Sequence, residues 1–147
     1  MNRSLLPRAR AAGLAAALLW VPLAACDDPA GSVPAAAVGT YSLSSVNGLA
    51  LPARITDTPD LKVDILSGTL LVQANGSYRE TRESRVTEPD GPRPASSFTE
   101  GTLRVSGSSL EVRERAGGTY TGTYAGTTLS YSIPAGAASV TFTYEKD

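Results

Sequence analysis

After residue 38, apolar and polar residues alternate along most of the chain, and the alternation restarts after each turn signal. A period of two with one polar face is typical of half-buried antiparallel strands. No stretch of a dozen residues in this part of the chain has the helical period. The pattern therefore predicts an all-β domain. The predicted inward positions are Tyr41, Leu43, Val63, Ile65, Leu70, Val72, Leu103, Val105, Leu110, Val112, Leu129, Tyr131, Ile133, Val140, Phe142 and Tyr144.

Turn signals separate these segments at intervals near ten residues. Asn47-Gly48 and Asn75-Gly76 are predicted to supply the positive φ angles of two-residue hairpin turns. Looser signals occur at Ser67-Gly68, Ser106-Gly107, Gly117-Gly118 and Ala125-Gly126. Short strands at this spacing are typical of a closed meander or a sandwich. We predict a small antiparallel barrel of about eight strands over residues 39–147.

The first 25 residues have the pattern of a secretory signal peptide. Arg3, Arg8 and Arg10 come with no acidic residue, and an apolar run from Ala11 to Leu23 follows. A transmembrane helix would need about 20 apolar residues. We predict a signal peptide over 1–25 and, from its Pro, Gly, Ser and Ala content, a flexible tether over 26–38.

Leu23-Ala24-Ala25-Cys26 resembles the lipobox of bacterial lipoproteins. The resemblance implies that the Cys26 thiol receives a diacylglyceryl group and that the chain is cut before it. Two or more acyl chains give stable membrane anchoring. The expected product is an extracytoplasmic domain, held by lipid at the inner or outer membrane of the cell envelope. Cys26 is the sole cysteine, so a disulfide within the chain is impossible.

Charge and residue types restrict the chemistry of the domain. Ten basic and 14 acidic residues follow position 25, a net charge of −4, which does not favour nucleic-acid binding. The chain has no histidine, so Ser-His-Asp, Cys-His and histidine-metal sites are excluded. The spacing of Asp57, Asp60 and Asp64 fits no calcium loop. Only carboxylates such as Glu80 and Glu114, or a lysine base at Lys62 or Lys146, remain. The spacing of the carboxylates marks no pair, and the two lysines are interpreted as surface charges. We therefore predict a protein without catalytic residues, metal or cofactor.

Several motifs resemble the lipocalin-like group of small bacterial lipoproteins. They are Gly39-Thr40-Tyr41, Ser45-Val46-Asn47-Gly48 and Leu51-Pro52, followed by the meander from Gly68-Thr69-Leu70 to Gly76-Ser77-Tyr78. The resemblance covers residues 38–144 and implies a lipocalin-like barrel. We expect a non-enzymatic binding module for a small apolar or amphipathic ligand, held near Tyr78, Arg82, Tyr120 and Tyr124. Tyrosines at alternating strand positions are also ordinary core residues.

The segment from Arg79 to Arg85 is polar on both faces of its predicted strand. We favour a hairpin that projects past the barrel rim, with a mobile Pro-Gly-Ser-rich tip at 88–97. Alternatively, Glu80 and Arg82 point into a barrel wide enough for a ligand. A projecting hairpin gives a second functional hypothesis, in which residues 79–100 contact an envelope protein and the lipoprotein is an inhibitor or an assembly factor.

Overall fold

A computed structural model describes residues 33–147, which form ten antiparallel strands after one 3-10 turn at Ala35–Ala37. The predicted all-β class is confirmed. The strands are β1 (Gly39–Val46), β2 (Leu49–Ala50), β3 (Ala53–Asp57), β4 (Lys62–Val72), β5 (Ser77–Glu88), β6 (Gly91–Ser106), β7 (Ser109–Glu114), β8 (Thr119–Ala125), β9 (Thr128–Ala135) and β10 (Ala138–Lys146).

Eight of the strands close into a barrel. The sheet runs in the order β2-β1-β10-β9-β8-β7-β6-β5-β4-β3, and β1 also pairs with β4 from Gly39 opposite Val72 to Ser42 opposite Thr69. This extra pairing joins the two sides of the sheet, with β2 and β3 as short additions beyond the closure. The predicted barrel of about eight strands is confirmed, and the sandwich alternative is wrong.

All the predicted inward positions except Val63 belong to the barrel core or pack against it. Every second residue of each strand faces inward, so alternation in the sequence becomes burial in the fold. Tyr131 stacks on Tyr144 with ring centroids 6.2 Å apart, and it lies 6.1 Å from the ring of Phe142. The side chains buried most completely are Tyr41, Tyr144, Leu70, Leu103, Leu110, Leu129, Glu80, Val46, Val72 and Val112.

The turn predictions are confirmed in part. Asn47 and Gly48 have φ angles of 52° and 75° and join β1 to β2 as the predicted two-residue turn. The loop at Asn75-Gly76 is longer, running from residue 73 to residue 76, and of this pair only Gly76 has a positive φ. The Asn75 side chain instead accepts a hydrogen bond from the Ser77 N–H at 2.9 Å. Ser67-Gly68 is not a turn but lies inside β4.

Two glycines allow close contact between neighbouring strands. A Cβ built on Gly101 would overlap the carbonyl oxygen of Arg113, and one built on Gly122 would overlap that of Ser130. Gly101 and Gly122 thus mark places where the wall bends too tightly for a side chain.

The barrel has two distinct ends. The N-terminal end holds residues 33–38, the loop at 73–76 and the C-terminus, while the hairpin end holds the β5–β6 turn at Pro89-Asp90. Residues 33–38 belong to the predicted tether, but they pack on the barrel because Val33 and Ala37 are buried. The Tyr41 hydroxyl donates to the Ala37 carbonyl at 2.9 Å. The predicted signal peptide, Cys26 and the rest of the predicted tether lie outside the described residues.

Residues 33–147 contain no helix with the length and apolar character that a membrane crossing requires.

Candidate functional site

The inward face of β5 carries a charged pair. Glu80 is 1% exposed and the Arg82 side chain 15% exposed, on the same face as the buried Tyr78. β5 is paired along its length with β4 on one side and β6 on the other, so its even-numbered side chains face inward. Glu80 and Arg82 therefore point into the barrel, as in the alternative prediction. The favoured prediction, in which this segment projects into water, is wrong for these two residues.

Glu80 is held by a network inside the barrel. Its Oε1 accepts a hydrogen bond from the Tyr144 hydroxyl and lies 3.2 Å from Arg82 Nε. The Arg82 guanidinium lies 4.3 Å from the centroid of the Phe142 ring, a cation–π contact. The second oxygen, Oε2, has no hydrogen-bond partner among the described residues. A buried carboxylate with one cation and one hydroxyl is stable only while both partners stay in place.

Burial keeps the surrounding phenols protonated. It raises the pKa of Tyr131 and of Tyr144, and the nearby Glu80 charge raises both further. The pKa of Tyr78 is also raised, first by burial and then by the charges of Glu114 and Glu80. These hydroxyls therefore remain hydrogen-bond donors toward the carboxylates at neutral pH.

The four predicted ligand residues all lie on strand positions with inward parity, but they do not form one cluster. Tyr78 lies close enough to Tyr120 and Arg82 for both to influence its pKa. The Tyr120 hydroxyl donates to Glu114 Oε2 at 3.3 Å. Tyr124 lies apart from them, near Tyr41, and its buried hydroxyl has no partner among the described residues. The structure thus brings Tyr78, Arg82 and Tyr120 together and separates Tyr124.

Cavities occur on the outside of the barrel wall. Four of them, of about 190, 290, 320 and 310 Å³, are lined largely by residues of the β4–β7 wall and of the β5–β6 hairpin. The one of 320 Å³ lies between residues 98–100 of β6 and residues 114–116 at the end of β7. Tyr41, Leu70, Leu129 and Tyr144 meanwhile leave almost no exposed surface at the barrel centre.

The β5–β6 hairpin extends past its neighbour. β6 begins at Gly91, but β7 pairs only with residues 101–106, so in the described part of the chain the first part of β6 has a strand on one side only. The predicted mobile tip at 88–97 is corrected, because residues 91–97 form strand paired with 82–88 and the turn consists of Pro89 and Asp90 alone. The prolines at 92 and 94 do not interrupt this pairing, since their nitrogens face away from β5.

An exposed aromatic residue lies on the outer face of this hairpin. Phe98 is 56% exposed, and the Arg79 guanidinium lies 5.3 Å from its ring centroid. Arg115 pairs with Glu100 beside it, and Arg93 pairs with Glu88 at 2.7 Å nearer the turn. Phe98 was missed from the sequence. The signal that could have identified it is an aromatic residue at an outward strand position with polar neighbours on both sides.

Asp64 is a second buried carboxylate, on the opposite face of the wall. It lies between Arg54 of β3 and Arg85 of β5, with Arg54 Nε at 2.8 Å and Arg85 Nη2 at 2.9 Å. Hydrogen bonds from these two guanidinium groups lower the pKa of Asp64 to about 2. The described part of the chain has no group of three or more acidic or thiol side chains placed to hold a metal ion.

No protein-family model matches the chain, and no curated protein matches it. Among solved structures, the chain is similar to the crystal structure of fatty-acid-binding protein 1 from Echinococcus granulosus. The identity is 12%, the match covers 76% of this chain and 97% of that chain, and the TM-score is 0.35. A likeness at this level carries no information about ligand or function, and the barrel assignment rests on the strand pairings above.

Proposed function

We propose that this protein is a lipid-anchored extracytoplasmic lipoprotein that acts by binding rather than catalysis, with the outer face of the β5–β6 hairpin as its contact surface for an envelope protein. One observation carries the choice of surface. The barrel centre is filled by tyrosine and leucine side chains, whereas Phe98 and the cavity of 320 Å³ lie on the outside. Phe98 belongs to the part of β6 that does not pair with β7.

The chemistry of this surface suits a protein partner. Aromatic residues, phenylalanine included, and arginine are enriched in protein interfaces relative to the rest of the surface. Leu71 is also partly exposed on the same face, and it lines a cavity of about 190 Å³ together with Arg79 and Glu100. Apolar area and cations therefore lie side by side there.

The anchor is supported by sequence alone. The basic start, the apolar run and the Leu-Ala-Ala-Cys junction agree in placing a lipidation site at Cys26. The first described residue, Val33, lies at the N-terminal end of the barrel, so a lipid at Cys26 would direct the β5–β6 turn away from the bilayer, while Phe98 and Arg79 would lie nearer the anchored end.

Site-specific photocrosslinking in the host cell tests the contact surface. A benzoyl-phenylalanine residue placed at Phe98 is expected to give a discrete protein adduct. The matched control is the same residue at Thr121, an exposed position on β8. Absence of an adduct from position 98, or equal adducts from 98 and 121, would contradict the proposal.

A small apolar or amphipathic ligand is the second candidate function. Glu80 Oε2 and the Tyr124 hydroxyl are buried without hydrogen-bond partners among the described residues. Because buried polar atoms normally have a partner, a bound ligand could supply one. Native mass spectrometry of protein purified from its own host is the test. A co-purifying small molecule that a Tyr124→Phe variant loses would favour this candidate, while an unliganded protein with no thermal shift on adding fatty acids would count against it.

A further inference from the structure

One edge of β6 has backbone groups without a strand partner among residues 33–147. Glu88 pairs with Gly91 across the two-residue turn, so odd-numbered residues of β6 bond to β5 and even-numbered residues direct their N–H and C=O groups the other way. The Arg115 N–H donates to the Glu100 carbonyl at 2.8 Å, in agreement with this parity. Strand pairing with β7 starts only at Gly101. We call residues 92–98 the free edge.

The free edge is rich in acceptors. The carbonyls of Pro92, Pro94, Ser96 and Phe98 face outward, but only Ser96 and Phe98 have an N–H to donate. Antiparallel pairing of two copies would therefore set acceptors against acceptors and leave carbonyls unpaired. A strand of different sequence, with an N–H at each residue, would satisfy these carbonyls. The prolines thus disfavour a second copy and allow a heterologous strand.

The side chains beside the free edge define the chemistry of that strand. Phe98 borders the cavity of 320 Å³, which is large enough for an apolar side chain. Arg79 contacts the Phe98 ring but has no carboxylate partner within 4 Å among the described residues, unlike the neighbouring Arg115, which pairs with Glu100. The surface therefore matches an extended segment with an apolar and an acidic residue on one face.

We propose that the free edge binds such a segment of a partner protein as an additional β-strand beside β6, with its apolar side chain in the cavity next to Phe98 and its carboxylate at Arg79. This inference rests on the proposed function and names how the partner is bound. Backbone hydrogen bonds would provide affinity and the two side chains would provide specificity, as in other cases of strand addition.

A peptide-binding experiment with full-length protein in detergent tests the inference. The probe is the tightest-binding linear peptide selected from a random phage-displayed library. Ser96→Pro removes the N–H at the centre of the free edge, while the matched Ser96→Ala keeps it and removes only the hydroxyl. Ser96→Pro loses this hydrogen bond and disturbs the register of the added strand, so it should bind the peptide about tenfold more weakly than wild type. Ser96→Ala should bind it about as tightly as wild type.

N-methylation of the peptide, one residue at a time, provides a test independent of protein variants. Strand addition requires that methylation at alternate residues abolishes binding and that methylation at the residues between them is tolerated. This scan on wild-type protein decides the matter should Ser96→Pro fail to fold. No enriched peptide, equal binding to Ser96→Pro, or a scan without a period of two would each overturn strand addition.

The outcomes separate this inference from the proposed function. If crosslinking at position 98 captures a partner and Ser96→Pro leaves that adduct unchanged, the hairpin face is the interface and strand addition is wrong. If position 98 gives no adduct at all, the proposed contact surface itself fails.

Discussion

Gly68 and Arg82 face each other across β4 and β5, and a Cβ at position 68 would lie 3.2 Å from Arg82 Cγ. The same Cβ would lie 3.1 Å from the Cβ of Leu43. The absence of a side chain at Gly68 therefore provides the space through which the Arg82 stem reaches Glu80. The Glu80–Arg82 ion pair in β5 therefore depends on a residue without a side chain at position 68 of β4.

Gly68→Ala is expected to destabilise the protein by about 1 kcal/mol, because Leu43 and Arg82 must each move by a few tenths of an ångström. Gly122→Ala is the comparison, since its Cβ would overlap a backbone oxygen that cannot move away, and we expect a loss of about 3 kcal/mol or more. Urea denaturation of both variants measures the difference. Equal losses would mean that the space beside Arg82 is not limiting.

Arg82→Met should destabilise the barrel by about 3–5 kcal/mol, because it leaves Glu80 buried without its cation. The double variant Glu80→Leu/Arg82→Met should recover much of this loss, since it removes both charges together. A double-mutant cycle from urea denaturation gives the coupling free energy between the two residues. Additive effects would show that Glu80 and Arg82 do not depend on each other.

Asp64→Asn should remove a pH-dependent part of the stability. The pKa of Asp64 is lowered to about 2 in the folded protein, from an ordinary value near 3.8, so its ionised form stabilises the fold above pH 4. That contribution is lost as the pH falls from about 4 through 2. The difference in unfolding free energy between wild type and Asp64→Asn should be constant near neutral pH and shrink in this window. A difference that stays constant down to pH 2 would contradict the ion-pair origin.

Cys26→Ser is expected to abolish incorporation of labelled palmitate and to release the protein from membranes. Loss of the thiol removes the acylation site, and no other cysteine can replace it. Ser4→Ala, in the basic leader, serves as a control that should keep both label and membrane fraction. Wild type without label, together with a Cys26→Ser variant that remains in membranes, would refute lipid anchoring.

The strand pattern was predictable because barrel closure requires one apolar face per strand. Tyr41, Leu70 and Tyr144 alternate with polar residues in the sequence and meet in the core of the fold. The pairing of β1 with β4 was not predictable to the same degree. Their contact joins distant parts of the chain, and local alternation carries no information on register between them.

The candidate site was harder to predict for a different reason. Glu80 and Arg82 break the rule that inward positions are apolar, so the pattern assigned their strand to solvent. Glu80 and Arg82 have opposite charges and are two residues apart, so they lie on one face of the strand and can pair with each other. This was the available signal in the sequence. Similarly, the prolines at 92 and 94 share one parity, which marks a strand edge rather than a mobile loop.

The packed segment at residues 33–38 fixes which end of the barrel would lie nearest the predicted anchor. Six residues separate Cys26 from Val33, so the chain between these two residues spans at most about 25 Å. β6 begins beside the β5–β6 turn at the opposite end of the barrel, and Phe98 lies opposite Thr81, eight residues past that turn but only four residues from the start of β5 at the N-terminal end. A lipid at Cys26 would thus hold the N-terminal end of the barrel close to the bilayer and direct the β5–β6 turn toward the aqueous compartment. Soluble partners would meet the turn first, and a segment that binds beside Phe98 would lie nearer the bilayer.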